Sequence, residues 1–187
     1  MNMLKTAKPL LITSFVCSVL LITACTPKSE HSTTNDKPSK DASQDVIDQL
    51  KTQRIKKFPS TPDDAHDIAL LTEYDQKFNQ MSEEIEADLR KMAKDGNLTE
   101  EITHQRKRDQ INSSLNMLKD LDLKTEQGRY IQGLLYQYWE NQIKVYDEKK
   151  ASPDGELKTP SDAVKGMRDM FTANDQLEYW KTVTPKS

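Results

Sequence analysis

The chain has 187 residues, and its 27 basic and 30 acidic residues give a formal net charge of -3. Domains that bind nucleic acid are normally basic, so this acidic balance disfavours nucleic-acid binding. The chain contains only two cysteines, both within the first 25 residues, so the remaining residues cannot form a disulfide framework.

The first 24 residues have the order of a signal peptide. Lys5 and Lys8 precede a run from Leu10 to Ile22 in which no residue is charged. Secretory leaders place a basic segment before an apolar one in this way. The apolar run covers residues 10–22, or 13 residues, whereas a membrane-spanning helix needs about 20. We therefore expect a cleaved leader over residues 1–24.

The sequence LITAC, residues 21–25, resembles the lipobox of bacterial lipoproteins. In that class the cysteine thiol receives a diacylglycerol, the leader is cut before the cysteine, and the new amino terminus is commonly acylated. The resemblance therefore implies cleavage after Ala24 and attachment to a membrane through lipid on Cys25. Ile22 stands where leucine is commoner, which is a conservative difference. The alternatives are an ordinary secretory signal and an uncleaved anchor.

The residues that follow the lipobox predict a location and a tether. In Gram-negative members of the class, aspartate after the lipidated cysteine favours retention at the inner membrane, and this chain has Thr26 there. The resemblance thus implies the outer membrane, with the protein facing the periplasm. Residues 25–44 are rich in Ser, Thr, Lys, Asp and Pro and poor in large apolar residues, so they predict a disordered tether.

Residues 45–187 predict a single helical domain. A short amphipathic segment precedes Pro59, and Thr61 with Pro62 predicts the start of a long second helix that ends at Lys94. Apolar residues recur along this helix at steps of three and four. They are Leu71, Tyr74, Phe78, Met81, Ile85, Leu89 and Met92.

Three further helices are expected after the stop at Asp95-Gly96. Asn97 or Thr99 is the predicted cap of the third, and Thr125 that of the fourth. Apolar residues of the fourth cover more than one face, and we expect Gly133 within it to permit close approach of another backbone. The sequence TPSD, residues 159–162, predicts a last short helix followed by a tail with Leu177, Tyr179 and Trp180.

These elements predict an all-α fold, because no segment alternates polar and apolar residues as a strand does. We expect an elongated antiparallel helical bundle, or paired helical hairpins, of about five helices.

Two groups of residues are candidates for a partner surface. Tyr130, Tyr136 and Trp139 belong to an aromatic group on the fourth helix, where tyrosine and tryptophan favour interfaces. Core packing is the alternative for most of them. The basic triplet Arg106, Lys107 and Arg108 could meet an acidic partner, although neighbouring acids favour a solvated face of mixed charge.

The sequence gives weak support to metal binding and to catalysis. Glu101 and His104 form a single Glu-x-x-His pair, whereas di-iron bundles use two such pairs with two more glutamates. Asp63, His66 and Asp67 lie within one turn, but acids cluster at helix starts because of the helix dipole. No nucleophile motif or phosphate-binding glycine loop occurs. We expect no cofactor, no metal and no enzymatic activity.

The sequence therefore leads to a hypothesis about function. We expect a lipid-anchored envelope lipoprotein whose helical domain binds or scaffolds another envelope protein. The alternative is a lipoprotein that binds a small molecule or a metal ion.

Overall fold

The computed structural model describes residues 40–152 and 155–184. The predicted leader, Ala24, Cys25 and most of the predicted tether lie outside these residues. Five α-helices and no strand occur among the described residues, which confirms the all-α prediction. In chain order the helices are α1 Lys40–Leu50, α2 Asp64–Lys94, α3 Glu100–Lys119, α4 Glu126–Ala151 and α5 Met167–Val183.

Helices α2 to α4 form an antiparallel bundle. Arg106 of α3 contacts Asp88 of α2 at 2.9 Å, and Gln110 donates to Ser82 at 2.8 Å, so residue numbers rise in one helix as they fall in the other. Hydrogen bonds between α3 and α4 show the same reversal; they join His104 with Tyr146 and Gln132 with Leu118. The caps predicted at Thr99 and Thr125 are confirmed, because both side chains accept a backbone N–H in the first turn of their helices.

The core consists of two neighbouring clusters. One is built from α2, α4, α5 and the α3–α4 loop, and it contains Leu71, Leu123, Ile131, Leu134, Ala173, Leu177 and Trp180. The other joins α2, α3 and α4 through Tyr74, Ile111, Leu118 and Trp139. Only the first two residues of the predicted seam on α2, Leu71 and Tyr74, are fully buried.

The first described helix and the segment after it differ from the prediction. Helix α1 starts at Lys40, inside the predicted tether, and ends at Leu50, before Ile55. Residues 51–63 then run without helix along α5; we call this segment the strap. Since the strap exposes most of its side chains, its position depends on bonds made by α5.

Four side chains spaced by four residues on α5 hold the end of α1, the strap and the start of α2. Arg168 donates to the carbonyl of Asp48, and the buried Thr172 accepts the N–H of Gln53 at 3.0 Å. Gln176 bonds both the N–H and the carbonyl of Lys56, and the indole N–H of Trp180 faces the carboxylate of Asp64. A step of four residues keeps all four on one side of the helix.

The end of the chain corrects a prediction. The sequence TPSD starts only a short 3-10 turn, Asp162–Val164, and α5 begins after Gly166, whose φ of 82° interrupts the chain's helical path. The residues expected in a tail belong to α5, and Trp180 is 2% exposed. Helix α5 has 17 residues, and its buried apolar side chains complete the core that it shares with α2 and α4.

A buried carboxylate joins α2 to the start of α4. Asp67 is fully buried and accepts the backbone N–H groups of Lys124, at 3.0 Å, and of Thr125, at 2.8 Å. It also accepts the Thr125 hydroxyl at 2.7 Å, and that hydroxyl in turn accepts the N–H of Gly128 at 2.8 Å. Asp67 therefore orders the α3–α4 loop and supports the cap of α4.

The close approach expected at Gly133 is wrong, and it occurs at Gly128 instead. A Cβ atom at Gly133 would meet no atom within 4 Å, whereas one at Gly128 would lie 2.5 Å from Oδ2 of Asp67. The carboxylate can reach the start of α4 only because residue 128 has no side chain.

Candidate functional site

The outer face of α4 carries an open groove of about 580 Å³. Gly133 leaves space within it, since a Cβ atom there would meet no atom within 4 Å. Its lining combines one aromatic ring with amides and charges of both signs: Lys119, Arg129, Gln132, Gly133, Tyr136, Gln137 and Glu140. Aromatic residues and arginine are enriched at protein recognition surfaces, and this groove contains Tyr136 and Arg129.

Two polar side chains of this groove are fixed by backbone carbonyl groups. Arg129 donates to the carbonyls of Leu123 and Lys124 at 3.2 and 2.9 Å, and Gln132 donates to that of Leu118 at 2.6 Å. These bonds satisfy carbonyls near the α3–α4 loop and hold both side chains in place. Ordering them costs little on binding, because they are already ordered in the free protein.

Tyr136 is the predicted recognition residue that the structure places in this groove. Its side chain is half-buried and packs against the cluster that contains Trp139. Its hydroxyl makes no hydrogen bond to any described residue, so the polar end of the ring remains available to a ligand. The ring is thus anchored by packing against the core while the residue lines the groove.

The prediction that Trp139 forms part of a partner surface is wrong. Its side chain is 5% exposed, and its indole N–H donates to the Tyr74 hydroxyl at 2.8 Å. The rings of Phe78 and Tyr138 lie 5.0 and 4.6 Å from it. Burial raises the pKa of Tyr74, so the hydroxyl that accepts the indole N–H stays neutral. Trp139 is a core residue.

Tyr130 lies beneath the strap rather than in the groove. It is half-buried, its ring is 5.5 Å from that of Phe58, and the Lys56 ammonium lies 5.0 Å from its centre. Lys56 also lies 3.8 Å from Glu126. Tyr130 therefore helps to fix the strap on α4, and it is not part of the surface around Tyr136.

The basic triplet of α3 contacts neighbouring helices. Arg106 pairs with Asp88 of α2 at 2.9 Å, and Arg108 pairs with Asp147 of α4. Lys107 is exposed. Pairs of this kind at a surface contribute roughly 0 to 1 kcal/mol each. The pairing leaves the triplet with much less positive charge for an acidic partner, and it favours the alternative of a solvated mixed-charge face.

A second cavity, of about 380 Å³, lies between α2 and the end of α3. Its lining combines buried or half-buried apolar and aromatic side chains with exposed charged ones; the residues are His66, Leu70, Glu73, Tyr74, Lys77, Met117, Asp120, Leu121 and Asp122. Its volume is within the range of small-molecule sites. It is the place in the described structure where the small-molecule alternative has most support.

The acidic residues at the start of α2 accept hydrogen bonds from neighbouring segments of the chain. Asp67 is enclosed by the α3–α4 loop, as described above, and is not free to bind an ion with His66 and Asp63. On α3, the His104 ring lies 2.6 Å from the Tyr146 hydroxyl and 3.3 Å from Glu100. No group of three possible metal ligands occurs within residues 40–152 and 155–184.

Sequence patterns did not identify Gly128, Thr172 or Gln176, and they indicated Asp67 only as a possible metal ligand. A signal existed in part, because polar Thr172 and Gln176 are spaced by four among the apolar residues of α5. Both side chains bond backbone groups of the strap, 119 and 120 residues earlier in the chain, and no local pattern reveals partners so distant in sequence.

None of the helices within the described residues is long and apolar enough to cross a membrane. No protein-family model, curated protein or solved structure matches the chain.

Proposed function

We propose that the chain is a lipoprotein of the bacterial envelope, anchored through Cys25, whose helical domain binds another envelope protein through the groove around Tyr136. The anchor is supported by the lipobox, and Thr26 supports the outer membrane with the domain in the periplasm. The partner site is supported by one observation above the others: Gly133 leaves open space beside a tyrosine whose hydroxyl is unpaired within the described structure.

The groove suits a polypeptide better than a small molecule. It is open to solvent along α4, and it places basic Lys119 and acidic Glu140 among amides that both donate and accept hydrogen bonds. A side chain of the partner can occupy the space at Gly133 and stack on Tyr136. Tyrosine contributes strongly at interfaces because it combines a large rigid ring with a polar end.

Lipidation is tested by the processing of the chain in cells. We expect the mature protein to begin at Cys25, with its mass raised by a diacylglycerol and one further acyl chain. In Cys25→Ala the acceptor thiol is absent, so the full-length precursor accumulates and no acyl mass is found. Mass spectrometry of the purified membrane fraction measures both. A wild-type chain that retains residues 1–24, or lacks lipid, would refute the proposed anchor.

Partner binding is tested by crosslinking in living cells. With a photoreactive residue at Gln137, at the edge of the groove, we expect one discrete adduct with an envelope protein. Filling the space with Gly133→Leu removes that adduct, while helix stability rises because leucine favours the helical conformation by about 1 kcal/mol relative to glycine. Loss of binding in a more stable protein cannot result from unfolding.

A photoreactive residue at Gln80, exposed on α2, provides the matched control. The variant with the photoreactive residue at Gln80 should not form the adduct seen from Gln137. If binding requires attachment to the membrane, the Gln137 adduct should also be lost when Cys25→Ala is introduced. An adduct that survives Gly133→Leu unchanged would show that the groove is not the binding site.

The second candidate function is binding of a small molecule in the cavity beside His66, favoured by its volume of about 380 Å³ and by a lining that combines apolar and charged side chains. Calorimetric titration with envelope metabolites tests it. The expected result is saturable heat that Leu70→Trp, which fills the cavity, abolishes. A flat titration excludes it.

A further inference from the structure

The end of α1 and the strap carry exposed apolar side chains. Ile47 is 57% exposed, and Leu50 and Ile55 are each 37% exposed. In the part of the chain that the structure describes, these are three of the four large apolar side chains that are exposed, the other being Val183. Exposed apolar residues gathered in nine positions mark a surface that contacts something else.

The same segment carries unpaired positive charge. Lys51, Arg54 and Lys57 are exposed, and none forms an ion pair with a described residue. Between residues 47 and 57 there are four basic residues and one acidic residue, a net charge of +3, in a chain whose total charge is -3. The arginines of the α3 triplet, in contrast, are paired with Asp88 and Asp147.

The exposed apolar and basic side chains lie within the eleven consecutive residues 47–57, and we call them the patch. Ile47 and Leu50 are spaced by three residues and so share a helix face, and the N–H of Lys51 donates to the carbonyl of Ile47 at 3.1 Å directly after the helix ends. In the strap, the N–H groups of Gln53 and Lys56 both point to α5. These two N–H groups, three residues apart, are thus directed to the same side of the strap. The basic residues keep this spacing; they are Lys51, Arg54 and Lys57.

We infer that this patch docks on the surface of a bilayer that contains anionic phospholipid. Lys and Arg near such a surface are each attracted to it, and apolar side chains beside them enter the interface between headgroups and acyl chains. A second copy of the chain is a poorer occupant, because it would bring two positive patches together. The inference rests on the proposed lipid anchor at Cys25.

The length of chain before α1 supports this occupant. Fourteen residues, 26–39, lie between Cys25 and Lys40, and even a fully extended chain spans only about 50 Å from Cys25 to Lys40. The patch belongs to the first elements after the anchor. Helix α2 has 31 residues and is about 46 Å long, so the α2–α3 turn at its far end lies distant from the strap.

The test uses the lipidated full chain in vesicles, with a nitroxide label on Thr52→Cys. The cysteine is exposed in the strap, and lipidated Cys25 does not react with the label. On vesicles of phosphatidylcholine with 30% phosphatidylglycerol, we expect collisions with a water-soluble nickel chelate to fall about threefold or more relative to pure phosphatidylcholine. A label on Asn97→Cys, at the α2–α3 turn, should show no change.

Two charge variants with the same net charge distinguish docking from general attraction. Lys51→Glu, Arg54→Glu and Lys57→Glu together should return the Thr52 label to its exposure on pure phosphatidylcholine. The matched control, Lys144→Glu, Lys149→Glu and Lys158→Glu, should keep the protection. The strap is held through backbone groups of Gln53 and Lys56, so the first variant should fold, which circular dichroism checks.

The inference is overturned if the Thr52 label is equally exposed on both kinds of vesicle, or if both triple variants lose protection to the same extent. The mass of the purified chain reports separately whether Cys25 carries lipid. A failure of the proposed anchor is therefore distinguished from a failure of docking.

Discussion

Replacing Gly128 with alanine should lower the free energy of unfolding by about 2 to 3 kcal/mol. The new Cβ would lie 2.5 Å from Oδ2 of Asp67 and 3.0 Å from Oγ1 of Thr125. Neither oxygen can move freely, because each is held by hydrogen bonds to the start of α4. The helical preference of alanine recovers at most about 1 kcal/mol.

The matched control is the same substitution at Gly133, five residues later on α4. Its Cβ meets no atom within 4 Å, so we expect Gly133→Ala to stabilise the protein by about 0.5 to 1 kcal/mol. Thermal and urea unfolding of both variants measure the two effects, and the midpoint temperature of Gly128→Ala should fall by about 5 to 10 °C. Equal effects of the two substitutions would contradict the packing at Asp67.

The two glycines show what a helical pattern can and cannot predict. Both lie in a segment whose apolar residues correctly predict helix α4, and Gly133 stands in its interior, where a glycine is most unusual. The structure assigns the close approach to Gly128, because its neighbour is a carboxylate from α2, about 60 residues earlier. Sequence spacing identifies neighbours along a helix but not the residue that reaches it from another helix.

The same limit explains which helices were predicted. Thr99 and Thr125 cap α3 and α4 as expected, since capping depends on residues within one turn. The strap and the full length of α5 were not predicted. Thr172 and Gln176 hold the strap through its backbone groups. Backbone hydrogen bonds do not require particular side chains, so the strap has no periodic apolar pattern from which its position could be predicted.

The candidate site was predicted only in part. Tyr136 lies in an open groove, but Trp139, three residues later, is buried against Tyr74. Residues three apart on a helix differ by about 60° in direction, enough to place one in the core and the other at its edge. The width of the apolar face on α4 indicated that neighbouring helices cover two sides of this helix. It did not identify the third side, which is exposed to solvent and carries the groove.

Replacing Asp67 with alanine should have the largest effect on stability, a loss of about 3 to 4 kcal/mol. The carboxylate accepts two backbone N–H groups and one hydroxyl in a fully buried position. Without it, the N–H of Thr125 and the hydroxyl of Thr125 lose their acceptor where water does not reach. Asp67→Asn should cost about 2 kcal/mol, because the amide keeps one acceptor oxygen but turns its NH₂ group toward a donor.

Asp75→Ala, at an exposed acid on the same helix, is the control and should change stability by less than about 0.5 kcal/mol. The hydrogen bonds through Thr125 also predict that the stability losses of Asp67→Ala and Thr125→Ala are coupled. Thr125 both donates to Asp67 and accepts the N–H of Gly128, so Thr125→Ala combined with Asp67→Ala should cost at least about 1 kcal/mol less than the sum of the two single losses. Additive losses would mean that the two residues stabilise the α3–α4 loop and the start of α4 separately, and the relay from α2 through Thr125 to α4 would be wrong.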